Sequence, residues 1–258
     1  MKILCPVCKE YLKKQDKSFK CINKHTFDIA KQGYLNLNMK ASGNTGDEKE
    51  MIIARNAFLN AGYYNFLKDK INQIIDSYKP SNILDLACGE GYYTSSYNIK
   101  DKVGIDLSKQ ALKIASRNDN STMYILKNIF NVPLEDNSLD MIITIFAPIS
   151  KEISRLLKEN GHFILVSPDV DHLFELKKAI YDNPYLNEIE NIDIENLRLD
   201  KEFKIKQKAI LNNEMLNNLF KMTPYYHKTS ISDMKKLETI DSLEVSFSFI
   251  IDVYLTSK

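Results

Sequence analysis

Four residues near the N-terminus have the types and spacing to hold a metal. Cys5, Cys8, Cys21 and His25 read C-x2-C-x12-C-x3-H. Zinc takes four soft or borderline ligands in a tetrahedron, and three thiolates with one imidazole supply them. The Cys-Pro-Val-Cys stretch makes a tight turn that aims two sulfurs at one point. The segment from Tyr11 to Lys20 runs out and back as a hairpin and delivers the second pair. A segment of this size has too little core to fold alone, and a metal supplies the missing stability. Four protein ligands leave no open coordination position, so the expected zinc is structural rather than catalytic. Cys88 stands far away and reads as a small buried residue of a loop.

A second set of residues lies in the middle of the chain. The run Asp85-Leu-Ala-Cys-Gly89-Glu90-Gly91 follows an apolar stretch. Glycines in such a turn let the backbone approach a ligand where a Cβ would clash. Asp106 ends the next apolar stretch and can accept both hydroxyls of a ribose. Asn128 ends the third, where its amide can reach an adenine edge. Neither the G-x-G-x-x-G of dinucleotide enzymes nor the G-x-x-x-x-G-K-[ST] phosphate loop is present. A nucleoside carrying an amino-acid tail therefore fits this site better than NAD or ATP.

These residues must be positioned by alternating strands and helices. Strands are expected at 81–87, 102–108, 122–127, 139–147 and 162–167. A helix is expected from about Gly91, another at 109–117 with Ser108 as N-cap, and a third at 150–159, followed by a turn at Asn160-Gly161. The run at 139–147 is nearly all apolar, as in a strand buried on both faces. Strict alternation of this kind means an α/β fold with a doubly wound, mostly parallel sheet, whose ligands bind beyond the carboxyl ends of the strands. Upstream, Met51, Ala54, Phe58 and Ala61 mark one helix. Phe66, Leu67, Ile71, Ile74 and Ile75 mark a second, stopped by Lys79 and Pro80. Downstream, helices are expected near 171–182, 213–221 and 232–239, and strands near 203–210 and 243–255.

Composition narrows the class. The chain has 258 residues, 44% hydrophobic and 27% charged, with a net charge of +1. No run of eighteen apolar residues exists, so no membrane span is expected. The start MKILCPVCKE lacks the apolar core of a signal peptide, which points to the cytoplasm, where thiols stay reduced. Residues 1–40 hold nine lysines against Glu10, Asp16 and Asp28, a net +6 on a body that is mildly acidic. A basic head on such a body suits phosphate binding, although a solvated lysine-rich surface has the same composition. The polar stretch 40–50 reads as a linker. The expected organisation is a zinc-binding RNA-recognition module over 1–38, linker and helices over 39–79, and the main domain over 80–258.

The motifs LDLACGEG, VGIDLS and N-I-F-N-V-P (128–133) resemble those of class I S-adenosylmethionine-dependent methyltransferases, a Rossmann-like fold. More narrowly, the chain resembles the bacterial 23S ribosomal RNA guanine-N1 methyltransferases. The zinc spacing, F-D-I-A-K-Q-G-Y-L-N-L (27–37), A-R-x-A-F-L-x-A-G-x-Y (54–64) and C-G-E-G-Y-Y-T (88–94) carry that likeness. It implies zinc on Cys5, Cys8, Cys21 and His25, and S-adenosylmethionine contacts from Tyr64, Gly89, Glu90 and His172. Asp106 and Asn128 match the class positions for ribose and adenine. It further implies a guanosine in a 23S ribosomal RNA hairpin as substrate, and a homodimer. Ala87 stands where many relatives have Gly, and Thr144-Ile-Phe146 where some have Arg and Tyr. Guanine N1 must lose a proton, and Asp169, Asp171 and His172 are the candidate acceptors. Phe146 or Tyr225 could sandwich the base, and Arg55 reads equally as a phosphate contact or an ion pair. A methyltransferase of a small metabolite would need neither zinc head nor basic charge. A non-catalytic RNA-binding protein would not need the intact glycine turn and Asp106.

Overall fold

The computed structural model describes residues 1–39, 49–189 and 192–257; most of the expected linker, residues 40–48, lies outside them. The head holds β1 (Lys13–Gln15), β2 (Ser18–Lys20) and β3 (Thr26–Asp28), an antiparallel sheet in sequence order. Then come β4 (Leu35–Asn36), α1 (Lys49–Asn60), α2 (Asn65–Tyr78), β5 (Asn82–Leu86), β6 (Asp101–Asp106), α3 (Lys109–Asn118), β7 (Met123–Leu126) and β8 (Leu139–Ile145). They are followed by α4 (Glu152–Leu156), β9 (Leu157–Pro168), α5 (Phe174–Ile180), β10 (Leu197–Asn212), α6 (Asn213–Lys221), α7 (Ile231–Lys236) and β11 (Ser242–Thr256).

The main sheet runs β4-β7-β6-β5-β8-β9-β11-β10. Pairing is parallel from β4 to β9, and β11 inserts antiparallel between β9 and β10. The order reverses between β5 and β8, so a crevice opens at the carboxyl ends of those strands. The interior strands are apolar runs because both faces are covered, and Ile83, Leu84, Met141, Ile142 and Ile143 are fully buried. In α2, Leu67, Ile71, Ile74 and Ile75 fall on one stripe and bury it. Lys79 then turns left-handed at φ 50 and closes the helix through its N–H to Ile75 O.

Four sequence expectations need correction. Past Gly91 the chain forms a compact loop with only a short 3-10 turn at Thr94–Ser96 instead of a helix. The buried Asp85 carboxylate causes this, because it accepts the hydroxyls of Thr94 (2.5 Å) and Tyr97 (3.3 Å) and ties the segment down. The helix expected at 150–159 stops at Leu156, because Leu157 already pairs with Leu139 in the sheet. Asn160-Gly161 is accordingly a bulge inside β9, with Asn160 at φ 61. The strand expected near 203–210 extends over Leu197–Asn212, held by antiparallel pairing with β11 along nearly its whole length.

The head is fused to the body. Strand β4 pairs with β7 and completes the edge of the main sheet, Leu4 N–H donates to Pro133 O at 2.8 Å, and Lys127 Nζ reaches Leu37 O at 3.3 Å. Ile3, Leu12 and Phe19 share one apolar cluster with Leu84, Ile105, Ile125 and Leu134 of the body. The apolar core runs across the boundary expected at residue 38.

Candidate functional site

The four metal ligands converge as their spacing requires. Their ligand atoms all lie within 4.8 Å of one another. Cys8 Sγ is 3.7 Å from Cys21 Sγ, and His25 Nδ1 is 3.6 Å from Cys5 Sγ and 3.3 Å from Cys21 Sγ. A tetrahedral zinc with arms of about 2.3 Å to sulfur and about 2.0 Å to nitrogen has edges of roughly 3.5–3.8 Å, so the cluster fits the ion. A hydrogen bond from the Asn23 side chain holds the Cys8 thiol down to about 6, which favours the thiolate a metal needs. Burial pushes Cys5 the other way. Lys13, Lys14 and Lys17 stand exposed on the hairpin beside this centre.

The crevice at the strand ends holds two contiguous chambers. The first, about 580 Å³, is edged by Gly89, Glu90, Asp106, Asn128 and Arg55, on four different segments. Asp106 lies at the end of β6, where one carboxylate oxygen accepts from Gly89 N (2.8 Å) and the other from Ser108 N (2.6 Å). The same residue thus fixes the glycine turn and the start of α3. Ser108 caps α3 by accepting from Ala111 N, as the sequence predicts. Gly89 and Gly91 are both left-handed, at φ 54 and 77. A Cβ on Gly91 would lie 2.5 Å from Tyr124 Oη and 3.1 Å from Ala115 Cβ, so no side chain fits there. Ala87 shares the left-handed conformation at φ 63, which explains why glycine suits that position elsewhere; alanine adopts it at a cost of about 1–2 kcal/mol.

Glu90 is buried and receives a two-pronged ion pair. Arg55 Nε lies 2.9 Å from both carboxylate oxygens, and a terminal guanidinium nitrogen lies 2.8 Å from one. Of the two readings of Arg55, the structure favours the ion pair. No spacing signal marks this partnership, since the residues are 35 apart on α1 and the glycine turn. Asn128 is exposed at the chamber rim, and its Oδ1 accepts from Phe130 N at 2.9 Å. Cys88 is buried beneath the turn, its thiol pushed far up by burial, which makes it inert as a nucleophile.

The second chamber, about 590 Å³, shares Tyr64, Phe146, Ala147, Pro148 and Pro224 with the first. Its remaining walls include His172, Thr223, Tyr225 and Ile192. Tyr64 is buried among the rings of Phe58, Phe247 and Phe249, at centroid distances of 5.3, 5.2 and 5.1 Å. Phe146 is held left-handed at φ 54 at the end of β8 and leans on Phe249 at 5.2 Å. Strained non-glycine residues of this kind concentrate at functional sites. No carboxylate lines this chamber among the described residues. Asp169 accepts from Val170 N at 2.7 Å, Asp171 pairs with Lys206, and neither lines a chamber. His172 does line the second. It is buried, its Nδ1 accepts from Ser248 N at 3.2 Å, and burial lowers its pKa to about 3.

The sheet order, the glycine turn and the paired chambers define a class I S-adenosylmethionine-dependent methyltransferase. The methyltransferase-domain family model matches residues 78–229, and the model described as RlmA, N-terminal, a zinc ribbon, matches residues 3–39. A relative from Streptomyces fradiae, the 23S rRNA (guanine(748)-N(1))-methyltransferase, is 31% identical over 68% of this chain and 66% of its own length, just under two thirds. A Bacillus subtilis (strain 168) protein, YxjB, named provisionally as a 23S rRNA (guanine-N(1)-)-methyltransferase, is 29% identical over 92% of each chain. The solved YcgJ protein from Bacillus subtilis superposes with a TM-score of 0.47 at 13% identity, over 72% of this chain and 97% of that one. A Micromonospora griseorubida protein, named provisionally as a 23S rRNA (guanine-N(1)-)-methyltransferase, is 30% identical over 67% of each chain, and this chain belongs to the same zinc-ribbon-headed 23S rRNA (guanine-N1)-methyltransferase family. It is an S-adenosylmethionine-dependent enzyme, and its head is built to hold zinc. No helix among the described residues is long and apolar enough to cross a membrane.

Proposed function

We propose that this protein methylates N1 of a guanosine in a hairpin loop of 23S ribosomal RNA. The observation that carries the reading is the second chamber, open, largely apolar and sharing a wall with the cofactor cleft. A base leaves its stack to enter such a pocket and is read there by stacking and by its polar edge. Phe146 and Tyr225 stand on the walls as stacking surfaces. In the first chamber, Gly89, Glu90, Asp106 and Asn128 would hold S-adenosylmethionine, with Asp106 toward the ribose, Asn128 toward the adenine and Tyr64 at the junction. The cofactor supplies a methyl group on a positively charged sulfur. What the chain contributes is alignment, since holding the two reactants in line removes most of the entropic barrier.

The exposed lysines of the head would take the RNA phosphates, positioning the hairpin without reading its sequence. A cytoplasmic location and the homodimer implied by family likeness belong to the same reading. The test is mass-spectrometric mapping of N1-methylguanosine in 23S RNA from cells with and without the gene. One guanosine should lose its methyl group in the deletion strain, and identical maps would refute the reading. Activity on a small metabolite, indifferent to the RNA, would point to the alternative substrate class.

A further inference from the structure

The run Lys31-Gln-Gly-Tyr-Leu-Asn-Leu37 carries much of the family likeness, yet it holds neither a metal ligand nor a wall of either chamber. It follows β3, which begins at the residue after the ligand His25. Ile29 bridges to Leu35, Gly33 turns the chain at φ 112, and Ala30 N donates to Tyr34 O at 2.8 Å. This tight loop sends the Tyr34 ring out of the head and into the body. Tyr34 is 2% exposed and shares an apolar cluster with Cys88, Leu112, Ala115, Tyr124 and Leu126, all of them body residues. Cys88 is itself a wall of the first chamber. Tyr124 and Ala115 are the residues on which Gly91 is seated, at 2.5 and 3.1 Å from where its Cβ would stand. Alongside, Leu37 N donates to Leu126 O at 3.2 Å, two residues before Asn128 at the chamber rim. The end of the head thus underlies the cofactor cleft at two points, a ring beneath the glycine turn and a strand beside β7.

We propose that Tyr34 is a positioning residue of the cofactor site, and that through it zinc and S-adenosylmethionine binding are linked. The inference rests on the reading of the first chamber as the cofactor cleft. Zinc holds the head folded, because a segment of this size cannot do so on its own core. The folded head holds the 30–37 loop, and the loop holds the Tyr34 ring in the cluster of Cys88 and Tyr124. Close-packed interiors pass a displacement on to their neighbours, and a ring removed here leaves a cavity under the glycine turn. Tyr34 touches no reacting atom; it acts by fixing the backbone that meets the cofactor. Linkage of this kind is reciprocal, so whatever zinc does for cofactor affinity the cofactor does for zinc affinity. A zinc centre serving the RNA alone predicts no such exchange.

The experiment uses the full zinc-loaded chain with Tyr34→Ala, which removes the ring, and Tyr34→Phe, which keeps it. Calorimetry with S-adenosylhomocysteine should give an affinity about tenfold weaker in Tyr34→Ala and within about twofold of wild type in Tyr34→Phe, with zinc retained in both. Wild type is then brought to equilibrium with a competing zinc chelator, with and without saturating S-adenosylhomocysteine. Its apparent zinc affinity should rise about tenfold when the nucleoside is present. A merely structural ring would lower the urea midpoint of Tyr34→Ala and leave the affinity of the folded protein unchanged, and that result overturns the proposal. Zinc affinity indifferent to S-adenosylhomocysteine overturns it as well, and this measurement decides the matter should Tyr34→Ala fail to fold. S-adenosylhomocysteine binding unmoved by Asp106→Asn would instead refute the reading of the first chamber.

Discussion

Gly91→Ala is the sharpest probe of how the cofactor turn is seated. The position is left-handed at φ 77, which costs a non-glycine residue about 1–2 kcal/mol. The new Cβ would also lie 2.5 Å from Tyr124 Oη and 3.1 Å from Ala115 Cβ. Relieving such overpacking costs about 1–3 kcal/mol. The total is then about 2–5 kcal/mol, a large share of the stability of a domain. Tyr124→Phe removes the nearest atom and gives up only a 3.2 Å hydrogen bond to Asp119, worth about 1 kcal/mol. The double variant should therefore recover about 1–2 kcal/mol relative to additivity, while the left-handed cost remains. Urea unfolding measures each corner of the cycle, and calorimetry with S-adenosylhomocysteine measures whether the turn still presents its backbone. A Gly91→Ala protein within 0.5 kcal/mol of wild type, or a strictly additive cycle, would refute the packing argument.

Metal analysis should find one zinc per chain, lost on Cys5→Ala with Cys8→Ala; zinc retained by that double variant would exclude these ligands. Asp106→Asn places an amide donor against the N–H of Gly89 or Ser108, so cofactor affinity should drop by about 1.5–3 kcal/mol, roughly ten- to 150-fold. Unchanged calorimetry on the folded variant would remove Asp106 from the site. Burial raises Asp85 from 3.8 to about 7, so between those values the native state keeps a proton that the unfolded chain has shed. Its contribution to stability is therefore full below about pH 4 and falls as pH rises toward 7. Asp85→Asn should gain on wild type over that window, and parallel pH curves would contradict the assignment. Replacing Lys13, Lys14 and Lys17 with Gln should flatten the salt dependence of RNA binding by about two to three units if all three touch phosphates. An unchanged slope would move the RNA off the hairpin. Point changes serve better here than deleting residues 1–38, because that deletion strips β4 and part of the core from the body.

The zinc quartet was legible because its geometry is local, with four ligands whose spacing alone brings them together. Strands β5 to β8 were legible because burial on both faces leaves a nearly unbroken apolar run, as in Met141 to Ile145. Strand β10 was half hidden because it is an edge strand whose face carries Lys204, Lys206 and Lys208, so apolar alternation is diluted. The two residues of β4 are too few to leave a pattern. The helix expected at 150–159 failed because Leu157 suits either element, and tertiary pairing decided it. Asp106 and Asn128 were expected from strand ends and line the first chamber, whereas Arg55 beside Glu90 is a contact between distant segments that leaves no trace in spacing. Asp169 and Asp171 were near the site in sequence, but one caps the backbone and the other faces Lys206.

The pairing of β4 with β7 bears on how the chain survives its own synthesis. Leu35 and Asn36 emerge about ninety residues before Ile125 and Leu126, their partners. Until then the head has only its metal to hold it, and the sheet gains its last strand late. A head lacking zinc would leave β7 as an open strand edge with a row of unpaired backbone groups, which invites pairing with other chains. Metal starvation in the cell should then reveal itself as insoluble protein before it reveals itself as an unmethylated ribosome.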